Sequence, residues 1–227
     1  IGLYPPIIKA YASNQKDEMT ALVFNGSKLT FFLMWVFALP MLLEMESILT
    51  LWLKTPPPAA ILFTQLAIVE SLIFALSMPL ATAARAPGKM ALYETILGSV
   101  QISIFFISWW VLSLGYPAES VFYVAIAANI IMFKVRLLLV SYLTGLHKAD
   151  YYQKVVFPLL LVVILSVIPS IFLKNIFGNN LFEMALIITI SVLISTIAMY
   201  FVGLDKCWRK KVLLVILKKI FKNRKPV

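Results

Sequence analysis

Residues 62 to 89, LFTQLAIVESLIFALSMPLATAARAPGK, are almost wholly apolar, yet Glu70 sits near the centre of the run. A mid-helix acid costs roughly 2.5 to 3.5 kcal/mol in lipid, which the surrounding apolar residues can carry across. Ser77 lies seven positions on and shares its helical face; Arg85 is about 60° from Glu70 around the axis, and Lys89 follows. Together they form a polar track from mid-membrane to one end. Further on, Lys134 and Arg136 stand about 20 Å into another apolar run, pointing about 200° apart, so one can snorkel while the other faces the bundle. Gln101 and Asn129 add hydrogen-bonding groups at depth. A carboxylate there can hold a coupling cation, H⁺ or Na⁺, and a guanidinium can grip a phosphate bidentately. The plainer readings are a structural ion pair for Glu70 and positive-inside anchoring for the cations.

No metal-ligand cluster, nucleophile with base or phosphate-cradling glycine loop accompanies these groups, and His147, the only histidine, falls in a polar loop. The chain therefore reads as neither an enzyme nor a cofactor protein. The elements that position the polar groups follow from composition. The 227 residues are 62% hydrophobic and 13% charged, with mean hydropathy +0.95, values far outside soluble domains. Six segments are long enough to span: about 20–43, 58–84, 95–117, 120–143, 155–173 and 184–204. The fold class is all-α integral membrane.

Of the 20 Lys and Arg, all but Lys54 and Lys174 fall in alternate connections: the N-terminal stretch with Lys28, the loop with Arg85 and Lys89, the loop from Lys134 to Lys154, and the tail. Such alternation places both ends of the chain in the cytoplasm. The net charge of +10 is then an orientation signal, and a nucleic-acid partner has little left to explain. Pro40, Pro79, Pro158 and Pro169 should bend their helices, with Thr55 capping and a proline opening the second span. Ala75, Ser77, Ala81, Ala83 and Ala84 should let a neighbour approach closely. The tail, KCWRKKVLLVILKKIFKNRK, reads as a basic helix on anionic lipid. An opening at Ile1 without Met leads us to expect a fragment. Cys207 should be a reduced thiol, and the Asn25-Gly26-Ser27 sequon a chance match on the cytoplasmic side.

Several stretches resemble the C-terminal half of bacterial Wzx-type polysaccharide flippases, in the multidrug/oligosaccharidyl-lipid/polysaccharide exporter superfamily. They are Pro6-Ile7-Ile8-Lys9-Ala10-Tyr11-Ala12, Gly26-Ser27-Lys28, Leu49-Thr50-Leu51-Trp52-Leu53, Pro79-Leu80 with Ala86-Pro87-Gly88-Lys89 and Tyr93, Gly115 to Phe122, and Arg136-Leu137. The likeness covers roughly the first 60% of the chain; Ala91-Leu92-Tyr93-Glu94 departs from the family pattern.

The resemblance implies a MATE-like lobe. Residues 1–28 would be a cytoplasmic segment and start of the first span, 29–143 the four lobe helices, 155–204 an additional pair, and 205–227 the interfacial helix. It further implies a missing N-terminal lobe and a substrate, an undecaprenyl-pyrophosphate-linked oligosaccharide flipped across the bacterial inner membrane. Arg85, Lys89, Lys134 or Arg136 would meet the diphosphate, and Glu70, Ser77, Gln101 and Asn129 would complete the path. Two alternatives remain, a cation-coupled multidrug exporter and a non-transporting membrane scaffold. A drug exporter would show an acidic cavity, and a scaffold would tolerate neutralisation of its intramembrane charges.

Overall fold

The computed structural model describes residues 4–88, 90–177, 180–205 and 209. Among them every regular element is helical: α1 (Tyr4–Ala12), α2 (Lys16–Leu43), α3 (Met45–Leu53), α4 (Ala60–Arg85), α5 (Met90–Ser113), α6 (Ser120–Thr144), α7 (Lys148–Tyr151), α8 (Phe157–Ile176) and α9 (Leu181–Ala198). Single π-helical turns, Tyr152–Val156 and Met199–Gly203, join α7 to α8 and extend α9. Six helical stretches are long and apolar enough to cross a membrane, which makes this a multi-pass membrane protein: α2, α4, α5, α6, α7 through α8, and α9 with its π turn.

Apolar content fixed these spans, but local chemistry moved their limits. α5 runs from Met90 to Ser113, earlier at both ends than the expected 95–117; its end is set by Gly115, which takes a left-handed conformation before Pro117. The second span starts at Ala60, past the proline run, so Thr55 does not cap it and no proline sits in its first turn. Pro40, Pro79 and Pro169 are inside helices, and Pro158 lies within the continuous helical stretch from Lys148 to Ile176, directly after its π turn. The short helices α1 and α3 replace stretches expected to be loop. Gly145, left-handed, ends α6.

The helices pack in a row, α5 on α6, α6 on α4, α4 on α2, and the pair α8 and α9 lies against α2. Small residues allow the closest contact. Ala75, Ser77, Ala81, Ala83 and Ala84 are all buried where α4 meets its neighbours, as expected. Ser166 and Ser170 on α8, with Ser191 and Ser195 on α9, are fully buried and four apart on each helix, a spacing that lets two backbones approach. Gly203 faces the Phe32 ring so closely that a β-carbon there would collide with it.

Three polar ties fasten α2 to the pair, one at each end and one in the middle. Lys28 Nζ meets Asp205 Oδ2 at 2.8 Å, Trp35 Nε1 donates to Ser166 Oγ at 2.9 Å, and Lys174 Nζ donates to the Leu43 carbonyl and lies 3.5 Å from Glu44 Oε1. Lys28 and Glu44, expected in connecting segments, are therefore interior residues; their partners draw them in. Residues 206–208 and 210–227, with Cys207 and nearly all of the basic tail, lie outside the described residues. Within it Arg209 alone is described, donating to the carbonyls of Leu204 and Phe201.

Candidate functional site

The α4 and α6 helices run parallel and in register. Phe63 packs on Phe122 with ring centroids 5.4 Å apart, Asn129 Nδ2 donates to Glu70 Oε1 at 3.0 Å, and Arg136 Nη1 donates to Ser77 Oγ at 2.5 Å. Each pair joins residues 59 positions apart, and successive pairs step by seven. Seven residues are nearly two helical turns, so the same faces meet again at each step, as in a shallow left-handed crossing. The contact is thus a three-rung ladder, aromatic at one end and polar below.

On the middle rung, the carboxylate of Glu70 is half-buried and its described partner is a neutral amide. Asn129 is buried and also donates to the Ala125 carbonyl one turn back. On the lowest rung Arg136 is 92% buried, since 8% of its surface remains accessible. Its guanidinium contacts Ser77 Oγ and, at 3.4 Å, the Ser77 carbonyl, with its carbon 6.0 Å from the centre of the Tyr93 ring on α5. Ser77 in turn donates to the Phe74 carbonyl. Arg136 Nε and the Tyr93 hydroxyl, both buried, have no hydrogen-bond partner among the described residues. No carboxylate is paired with Arg136 among the described residues either. Arg136 lies about 24 Å down the 25-residue α6, so the charge is at membrane depth.

The remaining candidates go elsewhere. Arg85 is exposed and pairs with Glu94 at 3.5 Å, joining α4 to α5 at one end of the bundle. Lys134 points away from the ladder, exposed, as its 200° offset from Arg136 demands. Gln101 is exposed on α5. Lys89 lies outside the described residues. The structure therefore joins Glu70 with Asn129 and Ser77 with Arg136, and leaves Arg85, Lys134 and Gln101 on outer surfaces.

Two residues of the site escape sequence reasoning. Tyr93 was visible only as part of a motif, and Tyr151 not at all. Tyr151 is fully buried, edge-on to Phe24 at 5.4 Å and tilted against Phe133 at 6.0 Å, and its hydroxyl donates to the Leu76 carbonyl at 3.4 Å. The shared seven-residue spacing of Glu70–Ser77 and Asn129–Arg136 was the signal that could have paired the two helices.

No family model, curated protein or solved structure matches this chain.

Proposed function

We propose that this chain forms part of a membrane transporter that flips an undecaprenyl-pyrophosphate-linked oligosaccharide across the bacterial inner membrane. On this reading both described ends are cytoplasmic, and a further lobe completes the path. The observation that carries it is the position of Lys134. This cation stands exposed about 15 Å from the nearer end of α6 and about 21 Å from the other. Side chains in a helix lean toward its N-terminus, so the lysine stem tilts away from the nearer membrane surface and snorkels poorly. Lipid contact at that depth would cost roughly 2.5 to 3.5 kcal/mol. A cavity facing an anionic substrate removes that cost, and Gln101, exposed on the adjoining helix, suits a sugar-bearing ligand. The likeness of the first 60% of the chain to the flippases supplies the substrate class.

The test is complementation of a flippase-deficient strain by the full-length protein. Lys134→Ala should insert normally yet cut surface-polysaccharide assembly at least tenfold, with Lys134→Arg recovering part of it. Wild-type assembly by Lys134→Ala at equal expression would sink the proposal. The second reading, a cation-coupled drug exporter, draws on Glu70, whose partner is a neutral amide that leaves its charge available to a cation. Under that reading Glu70→Gln abolishes drug efflux while Lys134→Ala spares it. A scaffold would tolerate both changes.

A further inference from the structure

Lys54 and Lys174 stand at the opposite end of the helices from Arg85, Lys148 and Lys154, and the fold brings both to one pocket. The pocket, of about 670 Å³, has α3 and Lys54 as one wall, Lys174 of α8 as a second, and Leu181 and Met184 of α9 as a third. On α3, Glu46, Ser47 and Thr50 add a carboxylate and two hydroxyls. Each lysine is held in place from behind. Lys174 Nζ donates to the Leu43 carbonyl and lies 3.5 Å from Oε1 of the buried Glu44, whose other oxygen accepts from Ser47 Oγ at 3.0 Å. Lys54 centres a γ-turn: its φ is 61° and its ψ −54°, and Thr55 N donates to the Leu53 carbonyl at 2.7 Å. That turn is rare and strained for a residue with a side chain, and the rigid run from Pro56 to Pro58 follows it.

Binding capacity is left over. Lys174 uses one of its three donors, and neither Lys54 nor Glu46 has an ionic partner among the described residues. Glu46 and Lys54 do not pair with each other, since they stand at opposite ends of α3, about 12 Å apart along its axis. With Glu44 behind Lys174, two cations face two carboxylates, so a ligand carrying both signs of charge matches the pocket better than a simple anion. We propose that it binds a lipid whose headgroup joins a phosphate to a primary ammonium, the phosphate toward Lys54, Lys174 and Thr50 and the ammonium toward Glu46. The pocket lies where the spans end, at headgroup level, and the exposed Leu51, Trp52 and Leu53 suit α3 to the membrane interface. Leu181 and Met184 give the acyl chains an apolar edge to leave by. A choline offers no N–H to Glu46, and a glycerol headgroup has no cation, so the primary ammonium is selected. The inference stands whatever the transported substrate.

The experiment is native mass spectrometry of the full-length protein in detergent, titrated with phosphatidylethanolamine, phosphatidylcholine or phosphatidylglycerol of the same acyl chains. One phosphatidylethanolamine should bind about fivefold more tightly than either of the others. Lys54→Ala should weaken it roughly fivefold; Lys174 is left in place because it also fastens α8 to α2. Glu46→Gln should erase the preference over phosphatidylglycerol without weakening phosphatidylglycerol itself. Lys54 and Glu46 are both exposed, so both variants should melt in detergent at the unmutated temperature. Equal binding of the three lipids by the unmutated protein would overturn the proposal, and so would phosphatidylethanolamine binding that neither substitution moves. Phosphoethanolamine alone, at the same concentration, should leave the lipid in place; full displacement would make this a site for a soluble ligand and overturn the lipid assignment. No readout depends on transport, so loss of the flippase proposal leaves this one standing.

Discussion

Where α2 meets α8 and α9, cations find carboxylates: Lys28 reaches Asp205, and Lys174 approaches Glu44. Between α4 and α6 the carboxylate of Glu70 and the guanidinium of Arg136 stand on different rungs and meet only neutral groups. Opposite charges brought together cancel each other's field and fix a position, whereas charges solvated by amides and hydroxyls keep most of theirs. The contrast assigns the two regions different work. The clasp on α2 holds the pair in place, and the ladder keeps charge inside the bundle that no opposite charge among the described residues cancels.

The largest expected effect falls on the residue that touches both regions. Tyr151→Ala removes a ring held between Phe24 of α2 and Phe133 of α6, and should cost about 3 to 5 kcal/mol in detergent unfolding. A loss under about 1 kcal/mol would mean that the two regions are not joined through it. Next comes the clasp itself. Lys28 is nearly inaccessible while the Asp205 side chain is 64% exposed, so the two deletions are unequal. Asp205→Asn strands a buried cation and should destabilise by roughly 3 kcal/mol, whereas Lys28→Met, which leaves only a solvated carboxylate, should change stability by less than about 1. Equal losses would erase the distinction between clasp and ladder.

Gly203→Ala sharpens the comparison sterically. The added methyl meets the Phe32 ring and should cost about 2 kcal/mol, largely recovered by Phe32→Leu; a failure of that rescue would place the strain elsewhere. The smallest effect is the mid-level tie. A double-mutant cycle between Trp35→Phe and Ser166→Ala should give a coupling of about 0.6 kcal/mol, typical of hydrogen bonds between membrane helices. Zero coupling would leave the serine spacing alone to hold that level.

Much of the fold was legible because hydropathy over twenty residues is a strong signal, and the opposed directions of Lys134 and Arg136 followed from helical geometry alone. The ladder was half legible. Spacing put Glu70 and Ser77 on one face, but which residues they meet depends on the register between α4 and α6, and no local pattern encodes that. Lys28 and Glu44 looked like loop charges because their partners lie 177 and 130 positions away. Tyr93 and Tyr151 gave no sign of their roles, since a single aromatic in an apolar context has no period to read. The four buried serines could have been read: their spacing of four is in the sequence, hidden only by the stronger apolar signal around them.

The bond from Lys28 to Asp205 also sets a clock. Its two residues are 177 positions apart, and a ribosome adding about 5 to 20 residues per second needs roughly 10 to 35 s to make the intervening chain. Through that interval α2 sits in the bilayer with a lysine whose final partner does not yet exist. A lysine held at that depth without its carboxylate carries an uncompensated charge, so biogenesis should be most vulnerable between insertion of α2 and synthesis of Asp205.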